Sequence, residues 1–289
     1  MLENITLGMW VCLGALIIAS LWDMRIREVP DWLNYALVAF GLGYALILSI
    51  FHQNYSFLLN SIFGLAAGFL VGLVMFYGGQ WGGGDSKLVI GVCAILGLSI
   101  PAISSISDKQ EVLVFFINTL LVGAVYGLIY SFVLAIIHFK KVRQAAKERF
   151  GTTKFIIIRT SLLALLILSI IYSIVTPGLL SMTALLLTGA AAAMFYIWAL
   201  AYCIEKAYMI RESKVSDLTE GDWVVEPVVK GDKTILEPSR TGITLEELEV
   251  LKKNNIKTVT IKIGIPFVPS FLFAFIFTLA FGNWLLYII

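Results

Sequence analysis

The chain alternates long stretches that carry no formal charge with short charged clusters. Residues 32–84, 88–107, 112–139, 160–204 and 263–289 contain no Asp, Glu, Lys or Arg. A helix needs about 20 mostly apolar residues to cross a bilayer. The interval between Glu3 and Asp23 holds one such helix. Residues 32–84 hold two, with a break near residues 52–56, and 160–204 hold two, divided at Pro177 and Gly178. The other three intervals hold one each. The pattern predicts eight helices, at about 5–22, 33–51, 57–77, 86–106, 112–138, 157–176, 179–203 and 266–288.

Residues 205–262 read differently, with ten basic and eleven acidic side chains. Trp223–Val229, a turn at 230–233 and Thr234–Leu236 have the form of a hairpin. Thr244 followed by Glu247 is a capping box that opens a helix to about Asn254, and residues 258–263 alternate like a strand. The expected fold class is an α-helical polytopic membrane protein with a small α+β insertion before its last helix. The expected domains are 1–138, a membrane core holding Asp23 and Asp85; 139–204, a basic loop and a further helical hairpin; 205–262, the α+β subdomain; and 263–289, the final helix.

Composition excludes the other broad classes. Apolar residues make up 59% of the chain and charged ones 14%, against roughly 45–50% and 25% in soluble domains. Mean hydropathy is +0.91. Disorder requires low hydrophobicity. A net charge of +2 argues against nucleic acid as a partner. Cys12, Cys93 and Cys203 each lie in an apolar run with no CxxC, so neither a zinc ribbon nor a disulfide framework is expected. The first helix follows Glu3 rather than a basic segment and has no small-residue cleavage site before Asp23, so it is expected to stay as a span.

Loop charges orient the bundle. Arg25 and Arg27 fall in the first loop, Lys87 in the third, and seven Lys and Arg residues lie between 140 and 159. The second and sixth loops carry no charge. Basic loops favour the cytoplasmic side, which puts both termini outside and residues 205–262 inside. It also puts Asp23 and Asp85 on one face, although neither was used to set the orientation.

Those two aspartates are the chemistry-bearing candidates, because an ionisable group at membrane depth is costly. Asp85 follows Gly82, Gly83 and Gly84 at the predicted start of a helix, where the dipole favours an anion. So many glycines imply irregular backbone or a close approach. The spacing is not that of a phosphate loop. Asp23 ends the first helix within Trp22-Asp-Met-Arg-Ile-Arg-Glu-Val-Pro30. Two carboxylates held together share a proton and can hydrolyse a peptide without a metal or nucleophile. His52 and His138 lie near helix ends, no Ser–His or Cys–His arrangement can be argued, and HExxH is absent. No metal or cofactor is expected. Gly64, Gly68 and Gly72, and again Gly123 and Gly127, form small-residue stripes that let helices approach closely.

At Asp23 with Arg25 and Val29-Pro30, and at Gly82-Gly83-Gly84-Asp85-Ser86-Lys87-Leu88, the chain resembles the type IV prepilin peptidases, the GxGD family of membrane aspartic proteases. The tail Gly264-Ile-Pro-Phe-Val-Pro-Ser270 resembles the start of the last helix in archaeal preflagellin and prepilin peptidases. The resemblance implies Asp23 and Asp85 as catalytic residues, with Gly82, Gly83, Gly84 and Lys87 forming the active-site loop. It implies removal of short basic leaders from pilin-like or archaellin precursors at the cytoplasmic face of the membrane. The cysteine tetrad of many bacterial members is missing, and no methyl-donor site is visible. Presenilin-like proteases share GxGD but have Tyr-Asp and Pro-Ala-Leu motifs, whereas Trp22 precedes Asp23 here. A proton- or ion-coupled transporter is the other alternative, though the halves show no repeat. Glu28 and Asp31 are the acids nearest Asp23, so one of them is expected to attract a basic leader. The pattern sets no oligomeric state.

Overall fold

The computed structural model describes residues 6–99, 111–231, 233–239 and 241–282. Helix α1 (Leu7–Ile26) opens on Thr6, whose side chain accepts from the Met9 N–H. It ends at Arg27, held in the left-handed region at φ 60°. Pro30 then starts α2 (Asp31–Phe51). A short turn leads to α3 (Ser56–Tyr77), and the glycine loop leads to α4 (Gly83–Leu96). Beyond residue 110 come α5 (Glu111–Ile137), α6 (Phe139–Phe150), α7 (Thr153–Val175) and α8 (Leu179–Ile204), which runs on through a π turn to Met209. The last described helix is α10 (Val268–Phe281).

Six described helices are long and apolar enough to cross a membrane: α1, α2, α3, α5, α7 and α8 with its π turn. Eight spans were expected, and α4 accounts for part of the difference. Its 14 residues reach about 21 Å at 1.5 Å per residue, short of a hydrocarbon core of about 30 Å. The helix stops because Gly97 turns to φ 69°, and the Leu98 N–H then bonds the Asn60 carbonyl of α3. The remainder of the expected span, 100–106, and of the last one, 283–288, lies outside the described residues. The basic stretch after 138, read as a loop, is largely helical as α6.

The chain divides into two compact units. The first holds residues up to Ile129, Ser213–Val259 and the segment from Gly264. Its helices approach to backbone distance at glycines, as the small-residue spacing implied. A methyl at Gly68 of α3 would lie 2.8 Å from the Cys93 Cβ of α4, and one at Gly91 would lie 2.6 Å from the Leu37 Cβ of α2. Gly123 on α5 gives the same room to the Phe267 ring. The core between these helices contains Leu16, Leu88, Val92, Phe115, Phe271 and Phe275, all fully buried.

The insertion contributes to this first unit. Hairpin β3 (Val228–Lys230) and β4 (Lys233–Leu236) forms where the turn residues placed it, with Gly231 at φ 62°. Helix α9 (Leu245–Lys253) carries the full reciprocal cap: Thr244 Oγ1 accepts from the Glu247 N–H, and Glu247 accepts from the Thr244 N–H at 2.9 Å. Ile210–Lys214 forms β1; Trp223–Val224, expected in that hairpin, instead forms a separate strand, β2; and Thr258–Lys262 forms β5, where alternation implied a strand. Val215, Leu218, Val224, Leu236, Leu248 and Leu251 make its small core.

The second unit holds Tyr130–Glu212 with Thr260–Ile263. Here α7 lies against α8, and α6 lies against α8 and the π turn. Most side chains of α7 and α8 are exposed and apolar, among them Leu168, Ile174, Leu186 and Met194. In water such a surface would be unstable; against lipid it is the solvated face.

Candidate active site

Asp23 lies in the last turn of α1 and is 4% exposed. Its carboxylate does not point into a void. Oδ2 accepts the Val268 N–H at 2.9 Å. Val268 is the first residue of α10 and Phe267 its cap. The first N–H groups of any helix lack intrahelical acceptors and form the positive end of its dipole. Phe267 has no polar side chain to serve them, so Asp23 caps α10 from another helix. Arg27 adds a second tie by donating to the Gly264 carbonyl. Its own N–H closes the end of α1 on the Asp23 carbonyl at 2.9 Å.

Asp85 sits in the first turn of α4, as the glycine loop implied, and is half-buried. Its Oδ2 accepts the Gly82 N–H at 3.2 Å. Gly82 has no side chain to complete a reciprocal cap, so the aspartate alone serves this helix end. Gly84 is needed for space: a Cβ there would lie 3.2 Å from the Val29 nitrogen and 3.3 Å from its Cβ. That contact brings the segment after Asp23 against the residue before Asp85. Asp23 is close enough for its charge to act on Asp85. Each carboxylate thus sits at a helix terminus, and both belong to the first unit.

Sequence reasoning did not single out two further residues. Asn34, only 1% exposed, donates from Nδ2 to the Gly84 carbonyl at 3.4 Å, and its buried Oδ1 has no partner among the described residues. The available signal was a lone amide one turn into a hydrophobic helix, just after Pro30. Trp81, at 4% exposed, packs edge-on against Phe271 of α10 with centroids 5.0 Å apart, fixing the loop before Gly82.

The remaining expected residues lie around these. Gly82 and Gly83 shape the turn into α4. Lys87 binds Asp31 at 2.7 Å, with both side chains about half exposed. Glu28 accepts from Thr219 Oγ1 at 2.8 Å, which ties the insertion to the loop after Asp23. Asp222 accepts the Thr219 N–H at 2.8 Å. Each of the two acids chosen for a leader therefore already has a partner. Among the described residues, no three His, Cys, Asp or Glu side chains gather in a way that would hold a metal.

Residues 10–128 match the model of the type IV leader peptidase family. A preflagellin peptidase of Methanococcus maripaludis is 44% identical over 81 residues, covering 28% of this chain and 35% of that protein. One from Methanocaldococcus jannaschii is 38% identical over 81 residues, covering 28% and 34%. One from Methanococcus voltae is 32% identical over 92 residues, covering 32% and 39%. The chain thus spans about a third of the length of the curated relatives it matches.

Proposed function

We propose that this chain, whose residues 10–128 match the model of the type IV leader peptidase family, is a membrane aspartic endopeptidase. It removes the basic leader from preflagellin or a similar pilin-like precursor at the cytoplasmic face. The observation that carries this reading is the pair Asp23 and Asp85. They stand in one compact unit, each at a helix terminus, with the charge of one acting on the other.

Of two such carboxyl groups, one is ionised and the other holds a proton. Asp23 accepts the Val268 N–H at 2.9 Å, while Asp85 accepts the Gly82 N–H at the longer 3.2 Å. Hydrogen bonds to a carboxylate favour its ionised form. Asp23 is therefore assigned as the base that takes a proton from water. Asp85 gives its proton to the scissile carbonyl oxygen as the water oxygen bonds to carbon. The tetrahedral intermediate then collapses: one of its hydroxyls returns a proton to Asp85, the C–N bond breaks, and the amine leaves with the proton held by Asp23.

The test is cleavage of a purified preflagellin by the full-length protein. Asp23→Asn and Asp85→Asn should each abolish cleavage without lowering the unfolding temperature. Substantial cleavage by either variant would sink the dyad. A cysteine at position 246, on α9, should resist an impermeant maleimide in intact cells; ready labelling would put the site on the other face.

A further inference from the structure

Within the second unit, α6 joins two membrane segments. The uncharged stretch of α5 runs to Phe139, and that of α7 begins after Arg159. The 12 residues of α6 span about 18 Å, connect the ends of these two segments, and lie against α8 and its π turn. Its inward face presents Val142 and Ala145, both buried, and then Arg149. Outward stand Lys140, Lys141, Arg143 and Lys147, all exposed.

Arg149 is held in an unusual way. Its guanidinium carbon lies 4.4 Å from the centroid of the Tyr202 ring, 5.4 Å from that of Trp198 and 6.0 Å from that of Phe155. Aromatic stacking occupies the faces of a guanidinium and leaves its in-plane N–H groups free to donate. Nε is buried and has no hydrogen-bond partner among the described residues. The adjacent carboxylate does not serve it: Glu148 binds Lys206 at 3.1 Å. A guanidinium held among aromatic rings near the ends of two membrane segments, in no ion pair with a carboxylate among the described residues, suits an oxyanion bound through its terminal nitrogens.

We propose that Arg149 is a binding site for the phosphate of an anionic lipid headgroup. The planar fork donates to two phosphate oxygens, and Trp198 and Tyr202 place it in the aromatic belt where headgroups lie. The exposed lysines of α6 raise the local concentration of anionic lipid. This site is independent of Asp23 and Asp85, so it stands or falls apart from the peptidase reading.

The test uses the full-length protein in neutral detergent, titrated with phosphatidylglycerol or phosphatidylcholine and read by native mass spectrometry. The wild type should retain phosphatidylglycerol in preference to phosphatidylcholine. Arg149→Gln should weaken that binding about tenfold, the loss of one charge-assisted bidentate contact. Arg149→Lys, which keeps the charge without the fork, should fall in between. Equal retention of both lipids by the wild type would overturn the proposal, as would undiminished phosphatidylglycerol binding by a folded Arg149→Gln. If that variant does not fold, full binding by Arg149→Lys would overturn the fork. Displacement of phosphatidylglycerol by inorganic phosphate would make this a soluble-anion site and overturn the lipid assignment.

Discussion

The bond from the Val268 N–H to Asp23 can be removed without removing a side chain from the dyad. Val268 is the first residue of α10, so its N–H has no intrahelical acceptor. Proline's fixed φ suits a first helical turn and the missing N–H is not used by the helix, although Phe267 before it is held at φ −100° and ψ −21°, a conformation that a following proline disfavours. Val268→Pro therefore deletes one donor at 2.9 Å from Asp23 Oδ2 and leaves a ring of similar size in the core. A hydrogen bond to a charged group contributes about 1.5–3 kcal/mol. If it stabilises the ionised base in the reaction, its loss lowers kcat/KM about ten- to a hundredfold, at 1.36 kcal/mol per decade. The Asp23 carboxylate itself remains, so activity should fall without vanishing. The control is Val268→Ala, which keeps the N–H but leaves a cavity at a fully buried site, at about 2 kcal/mol of stability. Preflagellin cleavage and thermal unfolding are measured for both. Both variants should lose stability, but per folded molecule proline should lose rate while alanine keeps it. A proline variant cleaving within about twofold of wild type would refute the role given to this bond.

Asn34→Ala should lower kcat several-fold with little change in KM, since Asn34 touches the Gly84 carbonyl rather than the water-exposed rim; an effect on KM alone would count against a positioning role. Gly68→Val should destabilise the protein by about 3 kcal/mol or prevent its folding, because a Cβ there would already lie 2.8 Å from that of Cys93; unchanged thermal unfolding would contradict the close approach of α3 and α4. Reversing both Glu28 and Asp31 to Lys should raise KM for a Lys/Arg leader at most several-fold, and less at high salt, since exposed pairs contribute about 0–1 kcal/mol. Glu28 should carry most of that effect, because Lys87 already offsets Asp31 at 2.7 Å; normal low-salt kinetics in the double variant would remove both acids from leader binding.

Much of this molecule was legible in one dimension. Uncharged runs long enough to cross a bilayer located the long apolar helices, because in hydrocarbon a single spanning segment of this length satisfies its own backbone as a helix. Thr244 with Glu247, and the turn around Gly231, marked α9 and the β3–β4 hairpin, because caps and tight turns are local chemistry. The same holds for Asp85 at the head of α4 and for the glycine stripe of α3, whose period alone implies a shared face. What the sequence could not supply depends on partners far along the chain. Only the fold sets Val268 against Asp23, 245 positions earlier, and Gly84 against Val29. Only the fold gives Glu28 to Thr219 and Asp31 to Lys87, so that acids chosen for proximity in sequence are already engaged. The shortness of α4 was hidden for a related reason. Its apolar run continues past Gly97, and the helix stops where that glycine turns and the chain takes a bond to Asn60 on α3. Local pattern decides which segments become helices; where they end and which side chains meet is decided by packing between segments the chain itself keeps far apart.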